Sequence, residues 1–292
     1  MRKPMTPRGA LRVPATMAIF AVLLSACGSA GLNARASVQT TRPLAPSSTV
    51  LAITLPSTTL LAPPTIAPTT VAPRATRVAT TAPSCSPNVA GQLSSTREAA
   101  QLIVVDATTA ATTDADLSAF ELQGSCWVPV FGPWTARIGA AGFSDHHVEG
   151  DNTTPTGDYS IGPVMYGNAA NPGVRYPYHQ LVCGDWWDED PSSPQYNTFQ
   201  HVPCGETPPF GGDSEALWEE TTAYPSFAMV DYNTSPAVPG AGSAIFLHAD
   251  VGAPTAGCVS LPLDELDDLL TWLLPADNPL IVLGSDSEIT KF

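Results

Sequence analysis

Up to Arg97 this chain of 292 residues contains no acidic side chain at all; its 27 acidic residues all lie from Glu98 onward, where the only basic residues are Arg137, Arg175 and Lys291. So acidic a region repels a phosphate backbone, which excludes nucleic acid as a partner. Long apolar runs are also missing. The one membrane-like stretch, residues 13–24, is too short for a comfortable span. No segment recurs at a fixed period, which excludes repeat architectures. Gly-rich phosphate loops are absent, so nothing points to nucleotide chemistry. Aromatic residues are nearly missing between residues 28 and 84, and no packed domain is expected there.

The residues present divide the chain into three. Arg2, Lys3, Arg8 and Arg12 precede the short apolar stretch, as in an export signal over residues 1–26. It ends Leu24-Ser25-Ala26-Cys27, which resembles a bacterial lipobox and marks Cys27 for lipidation. Several acyl chains on one residue would hold the protein on the outer face of the cytoplasmic membrane, where disulfides persist. Residues 27–90, rich in Thr, Pro and Ala, read as a disordered tether reaching into the cell wall. Residues 91–292 remain as one domain, expected to be monomeric.

That domain reads as mainly β with one or two short helices. Apolar or alternating stretches at residues 102–105, 126–131, 228–232, 244–248 and 280–283 predict strands between Gly, Pro and Asn runs. A helix is predicted over residues 262–274, with Leu263, Leu266, Leu270, Leu273 and Leu274 on one face and Pro275 after its end. Of the six cysteines, Cys183 and Cys204 flank a loop that a disulfide would staple. Cys85 and Cys126 would then pin the chain's entry to the domain. With Cys27 lipidated, Cys258 is left over.

Cys258 is where the sequence reads as chemistry. An apolar strand ends in His248, a Gly/Pro loop follows, and Gly257-Cys258 stands just before the predicted helix. A histidine to take the proton and a helix N-terminus nearby would both favour a thiolate nucleophile. Gly257 has no side chain to block approach, so backbone N–H groups around it can face a developing oxyanion. A metal hydrolase built on His146, His147, His179, His201 and His248 is disfavoured, because His146 and His147 would point to opposite sides of a strand.

These residues resemble the L,D-transpeptidase (YkuD-like) catalytic domain of bacterial cell-wall enzymes, in an actinobacterial lipoprotein branch. His248, Gly257, Cys258 and Val259 match the family's strand-end histidine and its Ser-His-Gly-Cys element. Thr154-Pro155-Thr156-Gly157, with Tyr159 following, matches a second element about 100 residues upstream. Trp186 lies in what resembles a substrate-side insertion. Thr255-Ala256 replaces the family's Ser-His, Ser260 stands where many members have Arg, and Ala249 leaves His248 without a neighbouring side chain to orient it. The resemblance implies a YkuD-like β-sandwich or barrel-like fold. It further implies a Cys258 acyl-enzyme formed with help from His248, release of D-Ala from a stem tetrapeptide, and 3→3 peptidoglycan crosslinks. Thr255, Ser260, Tyr159 and Trp186 would meet the stem peptide, and the chemistry needs no metal and no organic cofactor. An L,D-carboxypeptidase using water on the same site, and an idle peptidoglycan-binding lipoprotein, are the competing readings.

Overall fold

The chain divides into two units, Met1–Ala75 and Thr76–Phe292, and the computed structural model describes residues 85–211 and 214–292, all within the second. The export signal, Cys27 and the tether up to residue 84 lie outside the described residues. In chain order the strands are β1 (Gln101–Ala107), β2 (Asp114–Gln123), β3 (Cys126–Arg137), β4 (Phe143–Ser144), β5 (Thr154–Pro155), β6 (Gly157–Gly167) and β7 (Tyr178–Gln180). They continue as β8 (Asp185–Asp188), β9 (Thr198–His201), β10 (Glu215–Ala216), β11 (Phe227–Val230), β12 (Phe246–Ala249), β13 (Val259–Leu261) and β14 (Leu280–Ser285). Among the described residues there is one α-helix, α1 (Leu263–Trp272).

The large sheet runs β11-β12-β13-β3-β2-β1-β14-β6-β7, and β11 also pairs with β6. That extra pairing returns the sheet on itself, so the architecture is barrel-like and mainly β, as the sequence predicts. The ring buries Ile103, Val105, Leu117, Ile138, Met165, Leu247, Val259, Leu261, Ile281 and Leu283, with Leu266, Leu269, Leu270 and Leu273 of α1 packed among them. Burying each such side chain contributes about 1.5–3 kcal/mol. Leu102, Val104, Phe120 and Val282 face the other way and pack with Ala90, Ala99 and Ile289. Both faces of β1 are thus covered, which is why residues 102–105 read as an unbroken apolar run.

All five predicted strands are present, as β1, β3, β11, β12 and β14. The helix begins at Leu263 with Pro262 as its N-cap, and one detail of its face is corrected. Leu263 is exposed, while Leu269, absent from the predicted face, is buried. Cys85 is bonded to Cys126 and Cys183 to Cys204, and Cys258 is free. The packed part begins within the segment read as tether: besides the Cys85 crosslink, Asn88 Nδ2 donates to Trp127 O at 2.8 Å and Ala90 is buried.

Between β6 and β11 the chain makes an insertion with its own sheet, ordered β10-β8-β9. Its Trp187, Leu217 and Tyr224 pack on Phe227 and Phe246 from the outer face of β11 and β12. This layer roofs the face of the barrel on which Cys258 lies.

Candidate active site

β12 and β13 are parallel neighbours, with Leu247 opposite Val259 and His248 opposite Ser260. One step back, Cys258 falls beside Phe246, whose N–H donates to Cys258 Sγ at 3.3 Å. Because side chains alternate along strands, Leu247, Ala249, Val259 and Leu261 enter the barrel core. Phe246, His248, Cys258 and Ser260 therefore share the outer face. Cys258 and His248 are diagonal neighbours there, while the hydrogen bonds of Cys258 Sγ go to Phe246 N–H and Ala244 O and that of His248 Nδ1 to Ala249 O.

The orienter of His248 is main-chain. Its Nδ1 lies 2.8 Å from the carbonyl oxygen of Ala249, and a carbonyl only accepts, so Nδ1 carries the proton and Nε2 keeps its lone pair. Burial lowers the pKa of His248, with the Ala249 carbonyl and Asp250 opposing, and the ring is a neutral base. It stands edge-on to Tyr224 at 5.5 Å between ring centroids. The Tyr224 hydroxyl donates to Glu215 Oε2 at 2.6 Å, and burial pushes the Glu215 carboxyl up.

The thiol departs from expectation. The helix N-terminus is not beside it, because β13 separates Cys258 from α1. Burial pushes the Cys258 pKa far up, and the carboxylates of Glu215 and Glu189 add to this against the N–H bond from Phe246. At rest the sulfur is a neutral S–H donating to Ala244 O at 3.2 Å. Both members of the pair are neutral at rest.

The Gly257-Cys258 corner is locked by the second motif. Thr154, fully buried on β5, donates its hydroxyl to Gly257 O at 2.8 Å and accepts from Gly139 N–H at 2.8 Å. Thr255 Oγ1 donates to Cys258 O at 2.7 Å and accepts from Gly257 N–H at 3.2 Å. Gly257 sits at φ 149°, where a Cβ would lie 2.9 Å from Thr153 O. That position belongs to glycine.

Cys258 opens on a cavity of about 290 Å³ whose wall includes His147, Glu149, Glu189, Glu215, Ala256 and Gly257. Ser260 is buried opposite His248, and its hydroxyl has no hydrogen-bond partner among the described residues. Tyr159 and Trp186 do not line this cavity. The Tyr159 hydroxyl is taken by Thr156 O and its ring stands on Tyr232, while Trp186 meets Trp218 and Phe210 edge-on beside Cys183–Cys204. The two adjacent histidines lie in the loop between β4 and β5 and not on a strand. His146 is exposed, whereas His147 is buried and reaches the cavity. Sequence reading passed over His147, since its place beside Cys258 rests on contacts more than 100 residues apart.

Residues 103–282 match the model of the YkuD family, described as the L,D-transpeptidase catalytic domain. No curated protein and no solved structure matches the chain.

Proposed function

This chain belongs to the L,D-transpeptidase family, and we propose that it builds peptidoglycan crosslinks through an acyl-enzyme on Cys258. The observation that carries this is the alignment of Cys258, His248 and the Ala249 carbonyl on two parallel strands, with the sulfur opening on a cavity. Cys258 Sγ attacks the amide between the third residue of a stem tetrapeptide and D-Ala, and its proton passes to His248 Nε2. His248 then protonates the departing amine, and D-Ala leaves. The carbonyl oxygen of the intermediate meets the backbone N–H groups of Ala256 and Cys258, since the Gly257 N–H already donates to Thr255 Oγ1. An amine from a second stem resolves the thioester to a 3→3 crosslink. The cavity wall at Ala256 and Gly257 is where this reading seats the donor stem; Thr255 and the buried Ser260 are not on that wall. Lipidation at Cys27, with residues 28–84 as a tether, would put the reaction on the outer face of the cytoplasmic membrane; labelled palmitate retained by a Cys27→Ser variant would refute that anchor.

A carbapenem is a strained amide that tests the nucleophile directly. Intact-mass spectrometry should show one covalent adduct on the wild type, none on Cys258→Ala, and formation slowed about 10²–10⁴-fold in His248→Ala. No adduct on the wild type, together with no D-Ala released from stem tetrapeptide, would end the enzyme reading. Crosslinked dimer as product marks a transferase, and tripeptide a hydrolase.

A further inference from the structure

His147 is the one histidine on the wall of the Cys258 cavity. Its Nδ1 lies 3.0 Å from Asp151 Oδ1 and 3.0 Å from Thr153 Oγ1. Asp151 is itself firmly held. Its Oδ1 accepts from the Thr153 N–H and hydroxyl, both at 2.8 Å, and its Oδ2 from Val148 N–H at 3.1 Å. A carboxylate so placed keeps the proton on Nδ1 and turns Nε2 into the basic nitrogen. Gly242 makes room for the ring, and Gly257 lies beside it. A Cβ at Gly242 would sit 2.3 Å from His147 Nε2, and one at Gly257 would sit 3.6 Å from its Cε1. The imidazole thus lies against the residue that precedes the nucleophile.

The site therefore has two oriented imidazoles, one held by a main-chain carbonyl and one by a carboxylate. We propose that they divide the reaction: His248 serves acylation of Cys258, and His147, positioned by Asp151, accepts the proton of the acceptor amine when the thioester is resolved. The division follows from their placement. His248 shares the sheet face with Cys258 and is absent from the cavity wall, whereas His147 stands on that wall, the side this division gives to the acceptor. In this step the acceptor nitrogen forms its bond to the thioester carbonyl carbon, and one amine proton moves to His147 Nε2. The tetrahedral intermediate then collapses, the carbon–sulfur bond breaks, and the pair leaves with Cys258 Sγ as thiolate. His147 returns its proton through solvent to the sulfur as product departs. Burial lowers the His147 pKa further than Asp151 restores it, so the ring is free to accept. Burial works against ionisation of Asp151, but the Thr153 and Val148 hydrogen bonds outweigh it and hold that carboxyl low. Ala256 occupies the place where the resembling family motif carries its own histidine, so an imidazole delivered from the β4–β5 loop stands at that corner instead.

This inference rests on the acyl-enzyme reading above. Its test separates the two half-reactions, with one synthetic stem tetrapeptide as donor and acceptor. D-Ala release is followed on the millisecond scale, and the acyl-enzyme by quenched intact mass. In His147→Gln the first equivalent of D-Ala should still appear as a burst. Steady turnover should fall about 10²–10⁴-fold more than the burst rate, with the Cys258 thioester accumulating. Asp151→Asn, which keeps the imidazole but not its orienter, should shift the same ratio in the same direction by less, and it carries the comparison if His147→Gln does not fold. Burst and turnover falling together, or turnover unchanged, would overturn the division and leave His147 a packing residue. A wild type that forms no covalent adduct on Cys258 and releases no D-Ala would instead overturn the acyl-enzyme reading on which this one stands.

Discussion

Thr154 donates its hydroxyl to the carbonyl of Gly257 at 2.8 Å, across 103 positions of sequence. The two motifs read separately along the chain are thus one object: the Thr-Pro turn is the clamp on the Gly-Cys corner. The same oxygen accepts the Gly139 N–H, so one buried hydroxyl satisfies groups on two other segments.

Thr154→Val keeps the shape and removes both bonds. The Gly139 N–H and the Gly257 carbonyl are then left unpaired, at about 1–3 kcal/mol each. Thermal unfolding should fall accordingly, and carbapenem acylation of Cys258 should slow because the corner loosens. An unchanged melting temperature with unchanged acylation would show that the clamp holds nothing.

The pH dependence of acylation follows from two neutral partners. His248 must be unprotonated to act, and burial lowers its pKa. Activity is therefore retained as pH falls through the ordinary imidazole value of about 6.5 and is lost only below it. The thiol pKa is raised, so no second rise belongs near the ordinary thiol value of about 8.5. Stopped-flow acylation from pH 4.5 to 9.5 should give one acidic limb and then a plateau. A rise centred near pH 8.5 would mean that the free thiolate, and not the thiol–imidazole pair, attacks.

Glu215 is the first charge acting on Cys258. In the range where the thiol titrates, that carboxyl is ionised and repels the forming thiolate. Glu215→Gln preserves the shape and a partner for Tyr224, and it should lower the thiol pKa, seen as faster iodoacetamide alkylation between pH 8 and 9.5. The stability effect has the opposite look. Burial raises the folded carboxyl's pKa above its unfolded value, so the stability it contributes is present below that unfolded value and is lost as pH rises through the folded one. The melting temperature of Glu215→Gln relative to wild type should accordingly increase from pH 4 to pH 8. A flat difference would place Glu215 in water.

Residues 102–105, 244–248 and 280–283 announce strands because they are covered on both faces, and residues 263–272 announce a helix through their leucine period and flanking prolines. β2 and β6 passed unannounced. β2 mixes buried Ala115, Leu117, Ala119 and Phe120 with exposed Asp114 and Asp116, and β6 carries three glycines and a proline that read as loop. The pairing of β11 with β6, which returns the sheet on itself, has no local signal at all.

The leftover thiol of Cys258, the strand-end His248 and both disulfide pairs were legible in residue types, spacing and the count of cysteines. What the sequence did not determine is the state of that chemistry. The thiol is neutral because the insertion carrying Glu189 and Glu215 folds over it, His248 is oriented by a main-chain oxygen that no side-chain pattern reveals, and His147 reaches the cavity through a loop held by Thr153 and Asp151. Desolvation and charge act through space, and here they act between residues as far apart in the chain as Glu189 and Cys258, so only the tertiary structure decides them.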